Sequence, residues 1–214
     1  MSVTLINYSK GKNDNLQKEI CYIARVSNPN NQNNHSNDEK LIKYLIKHKH
    51  WSPFEMVNIC LKIETTRDIS RQILRHRSFC FQEFSQRYSS DISDPIIREC
   101  RLQDKKNRQS SLKNDDMKLE NEWIEKQHEI IELSSEYYQW ALFNGIAKEQ
   151  VRCILPEGNT PTVMYMNGTL RSWIHYIQLR SGNGTQKEHQ LVAIDCMKAI
   201  KPIFPFIDQF ISVD

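Results

Sequence analysis

Apolar residues recur at two different periods along this chain, and each change of period marks a new element. Val3 and Leu5 alternate with polar neighbours, which predicts a short opening strand, and Leu16, Ile20 and Ile23 then follow helical spacing. Residues 28–37 contain Pro29 and six asparagines and have no apolar stripe, so they read as a loop. Asn37 is placed to cap a helix whose Leu41, Ile42, Leu45 and Ile46 keep the 3.6 period up to His48 and His50, with Pro53 beyond it. Val57, Ile59, Leu61 and Ile63 alternate with Asn58, Cys60, Lys62 and Glu64, the pattern of a half-buried strand. Thr65 or Thr66 can cap a following helix to about Leu74, with Ile69 and Ile73 inward and Arg67, Arg71 and Arg75 at intervals of four.

A second short strand is expected around Ile96 to Leu102, followed by a charged loop from Asp104 to about Asn114. The second half reads as mostly helical. Met117 to Phe143 is long and amphipathic and stops at Gly145, and Ala147 to Leu155 is short and stops at Pro156. Thr169 to Arg180 buries Leu170, Trp173, Ile174 and Ile177 while Arg171, His175 and Gln178 share another face, and Lys187 to Ile200 precedes Pro202 and Pro205.

At 214 residues with 39% hydrophobic content, the chain suits one compact domain, residues 1–214. Twenty-nine basic residues face 26 acidic ones, so basicity is local and gives little support to a nucleic-acid surface. Its six cysteines never fall at the short paired spacing of a zinc or redox site, and no apolar leader precedes them; they read as reduced thiols in the cytoplasm. No stretch approaches the roughly 18 to 20 apolar residues that cross a bilayer. The acceptor tripeptides at Asn167 and Asn183 carry no meaning without a leader. His48-x-His50 is the one close histidine pair and no His-Glu-x-x-His occurs, so no metal site is expected.

The chemistry concentrates in Arg75-His76-Arg77, seven residues, then Ser85-Gln86-Arg87-Tyr88, with Glu83 between. Taken singly each arginine is an ordinary surface ion-pair partner. Together, around Phe79, Cys80 and Phe81, they put fork-shaped donors where an anionic small molecule can be clamped on several edges. Ser85 has no His and acid partners at recognisable spacing, so it reads as a ligand hydrogen bonder, not a nucleophile. Cys80, between two phenylalanines, reads as a buried and inert thiol.

The Arg-His-Arg, seven residues, Ser-x-Arg pattern resembles the signature of the flavin-dependent thymidylate synthases. His50-Trp51-Ser52-Pro53-Phe54-Glu55 is similar to that family's His-x-x-Pro-Phe-Glu segment. Glu149-x-x-Arg152 with Leu155-Pro156 is similar to its Glu-x-x-Arg-x-x-Leu-Pro helix, Arg171 to Arg180 to its late helix, and Ala24-Arg25-Val26-Ser27 fits near its start. The blocks keep family order from about residue 20 onward. Cys80, Gln82 and Thr169 stand where many members have Ser, Asn and Asn, and some have Asn in place of His175.

The resemblance implies an α/β fold, a mixed sheet with surrounding helices, assembled as a homotetramer with active sites shared between subunits. It implies methylation of dUMP to dTMP with tightly bound FAD, 5,10-methylenetetrahydrofolate as carbon donor and NADPH as reductant. Carbon six of the ring would take a hydride from the reduced flavin, and no protein nucleophile would be needed. The implied dUMP ligands are Gln72, Arg75, Glu83, Ser85, Gln86, Arg87, Arg152 and Arg180. The implied flavin ligands are Ser52, Arg75, His76, Arg77, Glu83, Thr169, Leu170, Arg171 and His175. No Gly-x-Gly-x-x-Gly fingerprint is present, so the flavin must be held another way.

Arg180 is the expected catalytic residue. Methylation at carbon five needs an electron-rich ring, and a cation beside the deprotonated imide stabilises it; by itself Arg180 reads as a cation favoured at a helix C-terminus. Two other readings stay open at this point. One is a flavin enzyme on another pyrimidine nucleotide, such as a hydroxymethylating relative; the other is a non-catalytic module that binds RNA or DNA phosphates, with Phe79, Phe81 and Tyr88 stacking bases.

Overall fold

The structure is a computed structural model that describes residues 1–12, 15–90, 94–182 and 184–210; Asn183 of the second acceptor tripeptide lies outside them. Strand β1 (Ser2–Tyr8) leads into α1 (Leu16–Ala24) and α2 (Asp38–Lys47). Strand β2 (Asn58–Thr66) and helix α3 (Arg67–Ile73) follow the alternation and the helical spacing expected of them. Asn37 sits at the α2 N-cap position but its side chain makes no capping bond, and neither does Thr66 ahead of α3, whose hydroxyl turns to Asp68. Because α3 stops at Ile73, Arg75 leaves the row of arginines and projects from the turn that follows.

Two strands lie where none was expected. Strand β3 (Phe79–Glu83) runs inside the arginine motif, and β6 (Pro161–Thr169) precedes the late helix. They complete a four-stranded sheet in the order β1-β2-β6-β3. Every pair in it is antiparallel, so the α/β class holds while the expected mixture of strand directions does not. Strand β6 pairs with β2 over its whole length, from Pro161 opposite Thr66 to Thr169 opposite Asn58.

The segment expected as a second strand begins pairing only at β4 (Arg101–Gln103), which forms a small hairpin with β5 (Ser111–Lys113) inside the expected loop. Residues before it are held by side chains: Gln127 Oε1 accepts from Arg98 N–H, and Glu120 accepts from Cys100 N–H. Helix α4 (Met117–Phe143) keeps its expected bounds, and Gly145 supplies the positive φ of 76° just past its end. The short helix is α5 (Lys148–Val151), tightening into a 3-10 turn at Arg152–Ile154.

Helices α6 (Leu170–Arg180) and α7 (Lys187–Ile200) cover one face of the sheet. Ile59, Leu61, Ile63, Met164 and Met166 point into that face and are fully buried with Trp173, Ile177 and Cys196. Trp173 Nε1 donates to the Ile59 carbonyl at 2.9 Å, so burial leaves its one polar atom satisfied. The Phe79 ring lies over Gly168, where a Cβ would come within 2.4 Å of it, and meets Trp173 at 4.8 Å. Glycine at 168 is what lets β3 dock.

Strand alternation corrects the reading of Cys80. Phe79 and Phe81 turn toward the core side, so Cys80 between them is exposed. All six cysteines are free. Among the described residues no helix is long and apolar enough to cross a membrane. His48 and His50 pack on Tyr44, with ring centroids at 4.3 and 5.7 Å, and among the described residues no group of three metal-ligating side chains occurs.

Candidate active site

The end of α3 and the end of α6 bring the first cluster together. His76 Nε2 accepts a hydrogen bond from Arg180 Nε at 2.9 Å. Burial, with Arg180 and His175 nearby, lowers the His76 pKa to about 4, so at neutral pH its lone pair is available to do so. Arg180 faces no carboxylate among the described residues, and both its terminal amino groups are without a partner there. A half-buried guanidinium held from behind by a neutral group, with its charge uncompensated, is suited to an anion in front of it. The His189 ring lies 6.4 Å from that of His76, and Gln72 bonds to it and to Gln186 through its amide.

The second cluster joins the turn after β3 to α5. Tyr88 N–H donates to the Ser85 carbonyl at 3.1 Å, closing the turn, and Lys148 Nζ reaches the Tyr88 carbonyl at 3.1 Å. Arg87 Nε lies 4.0 Å from Glu149, and Arg152 Nε donates to the Glu149 carbonyl at 3.2 Å. Gln86 is 6% exposed, yet its amide makes no hydrogen bond among the described residues.

The third cluster lies at the start of α6. Arg171 pairs with Glu55, and Ser52 opens the 3-10 turn that carries Glu55. Thr169 Oγ accepts from Ser172 N–H at 3.2 Å and so caps α6. His175 is exposed one turn on from Arg171. Arg75 and Arg77 are exposed on the turn before β3 and have no side-chain partner among the described residues. Unpaired cations of this kind suit an anionic ligand.

Two expected ligands are already engaged by the fold. Glu83 Oε1 accepts from Ser70 at 2.8 Å and Thr162 at 2.9 Å, with Arg67 at 3.8 Å, so this carboxylate ties β3 to α3 and β6. Leu170 is fully buried and its N–H donates to the Val57 carbonyl, so its side chain offers nothing to a ligand. Tyr176, Gln186, Glu188 and His189 were not anticipated. Their signal lay in the periodicity: Glu188 and His189 precede Val192 and Ala193 by one turn, which places polar residues on the buried stripe of α7.

The family model described as thymidylate synthase complementing protein matches residues 4–206. A probable flavin-dependent thymidylate synthase of Paramecium bursaria Chlorella virus 1 is 48% identical over 216 residues, which is 100% of this chain and 97% of that protein. The chain belongs to the flavin-dependent thymidylate synthase family. The flavin-dependent thymidylate synthase of Synechocystis sp. (strain ATCC 27184 / PCC 6803 / Kazusa) is also 48% identical, over 188 residues, covering 88% of this chain and 86% of that one. The fold of this thymidylate synthase matches the crystal structure of a UMP/dUMP methylase, PolB from Streptomyces cacaoi, bound with 5-Br UMP. The TM-score is 0.81 at 24% identity, covering 98% of this chain and 92% of the other.

Proposed function

We propose that residues 1–214 form one domain that methylates dUMP to dTMP with FAD as its flavin, 5,10-methylenetetrahydrofolate as carbon donor and NADPH as reductant. Its active sites are completed between subunits of a homotetramer in the cytoplasm. Family membership supports the flavin-dependent conversion of dUMP to dTMP. The observation that carries the site assignment is Arg180, a cation fixed through Nε by neutral His76 and left uncompensated at both terminal amino groups.

In this reading Arg180 stabilises negative charge on the uracil imide, which makes carbon five nucleophilic toward the folate-borne carbon. Arg87, Arg152, Ser85 and the unpaired Gln86 clamp the phosphate, and Gln72 and Arg75 contact the nucleotide from the other cluster. Ser52, Arg75, His76, Arg77, Thr169, Arg171 and His175 hold the flavin, with Glu83 and Leu170 shaping the site from behind. Bound there, the flavin supplies hydride to carbon six of the ring.

Subunit sharing is supported by what a single chain leaves open. Helix α4 exposes Ile130, Leu133, Tyr137, Trp140 and Phe143, and a cavity of about 570 Å³ opens between its end and α5. Apolar surface of this extent marks an interaction face.

Visible absorption of the purified protein tests the function. FAD-loaded protein should be yellow, bleach on addition of NADPH without air, and regain colour as dTMP forms when dUMP and methylenetetrahydrofolate follow. Protein that stays colourless and inactive with FAD present would overturn the proposal.

A further inference from the structure

Behind Gln72 runs a row of polar side chains that the proposed chemistry leaves unused. His189 on α7 is fully buried, with Nε2 3.1 Å from the Tyr176 hydroxyl and Nδ1 3.2 Å from Gln72 Oε1. Gln72 Nε2 donates to Gln186 Oε1 at 2.7 Å, and Gln186 Nε2 donates to Glu188 Oε2 at 2.9 Å. Arg101 closes the row with a 2.8 Å bond to the same carboxylate. Burial alone would raise the Glu188 carboxyl, but bonds from Arg101, the backbone and Gln186, with Arg98 nearby, bring it to about 2.

That end of the row fixes the direction of every other bond. An ionised carboxylate only accepts, so Gln186 must turn its amino group to Glu188 and its carbonyl to Gln72. Gln72 must then give its amino group to Gln186 and its carbonyl to His189. The imidazole therefore carries its proton on Nδ1 and accepts from the Tyr176 hydroxyl on Nε2. Reversing one amide would set donor against donor or acceptor against acceptor. The imidazole can fill both parts only while neutral, and burial beside Arg180 and His76 lowers its pKa to about 3. Burial also raises the Tyr176 pKa well above its ordinary value, which keeps its proton in place.

We propose that Glu188, Gln186 and His189 are positioning residues that lock the Gln72 amide in one orientation, so that its remaining N–H is offered to an acceptor oxygen of the bound nucleotide. This rests on the reading of Gln72 as a nucleotide ligand. Gln72 is half-buried, and the second hydrogen of its amino group has no partner among the described residues. An amide free to turn over would present its carbonyl oxygen to the same substrate, and an electron-rich acceptor is repelled by it.

The test is calorimetric titration of dUMP into flavin-loaded protein, using two substitutions that divide the imidazole. His189→Asn places an amide where Nδ1 stands and can still donate to Gln72, whereas His189→Gln reaches the Tyr176 end instead. His189→Gln should weaken dUMP binding roughly tenfold, as for loss of one aligned hydrogen bond, while His189→Asn stays within roughly threefold of wild type. In a Gln72→Ala background His189→Gln should cost less than about twofold more, because the residue it orients is gone. Gln186→Leu should follow the same non-additive pattern and serves in its place if His189→Gln does not hold flavin. Additive losses, or equal binding by His189→Asn and His189→Gln, would overturn the positioning role alone. Failure of the wild-type protein to bind dUMP would instead remove the nucleotide reading on which it rests.

Discussion

At the scale of single residues, the site separates cations that are paired from those that are not. Arg71 faces Glu157 and Arg171 faces Glu55, whereas Arg75, Arg77 and Arg180 lack carboxylate partners among the described residues. Arg87 has only a loose contact with Glu149 at 4.0 Å, so its removal should cost the fold little. Arg87→Ala should weaken dUMP binding by roughly 1.5 to 3 kcal/mol, the worth of a charge-assisted bond, and titration calorimetry reads this directly. An unchanged dissociation constant would take Arg87 out of the phosphate clamp. His76 makes a pH prediction with a definite sign. Its folded pKa is lowered to about 4 while its unfolded value stays near 6.5, so the unfolded chain binds the proton first. Its contribution to stability is complete above about pH 6.5 and is lost as pH falls toward 4. His189, lowered to about 3, adds in the same direction. Chemical denaturation should therefore show stability falling from pH 6.5 to 4.5, and His76→Gln should flatten part of that slope.

At the scale of elements, what could be read from the sequence followed from how strongly each element specifies itself. Helix α4 was legible to its last residue because a long run holds the helical pattern and ends at a glycine that takes positive φ. Strand β2 was legible because β-branched and apolar residues alternate strictly along it. Strand β6 was not, since past Thr162 its inward residues are Met164, Met166 and Gly168, neither β-branched nor aromatic, and they are held in place by neighbours on both sides. Strand β3 escaped for a related reason: it is five residues long and lies within a motif whose charges dominate its reading. The hairpin of β4 and β5 was hidden because it is polar, fastened by Gln103 Nε2 bonding to the carbonyls of Asp104, Arg108 and Ser110. The dependence of β3 on its neighbour makes Gly168 a sensitive position. Gly168→Ala drives a methyl into the Phe79 ring and should cost about 1–3 kcal/mol, read as a lower melting temperature, with loss of flavin as the arginine turn ahead of β3 shifts.

At the scale of the whole molecule, the motif residues fall into three clusters, each built from a different pair of elements. The family resemblance supplied most of their names, because spacing along a chain does not say which turns meet in space. The buried row from Tyr176 to Glu188 was beyond both spacing and motif, since it depends on the start of α7 packing against both α6 and α3. Sharing of sites between subunits predicts that assembly and flavin binding fail together. Trp140→Glu places a charge on the exposed apolar face of α4, where the tryptophan is 60% exposed in the single chain. Sedimentation should show smaller species with reduced flavin content, and a variant that keeps both its size and its flavin would exclude this face from the interface.

The most direct measurement is dTMP formed per bound flavin, comparing wild type with Arg180→Ala after quantifying flavin by visible absorbance. Wild-type protein supplied with dUMP, methylenetetrahydrofolate and NADPH should turn over, and Arg180→Ala should keep its flavin yet lose roughly 100-fold or more in rate, as for removal of an electrostatic stabiliser. A flavin-loaded wild type that makes no dTMP, or an Arg180→Ala variant as active per flavin as wild type, would contradict it.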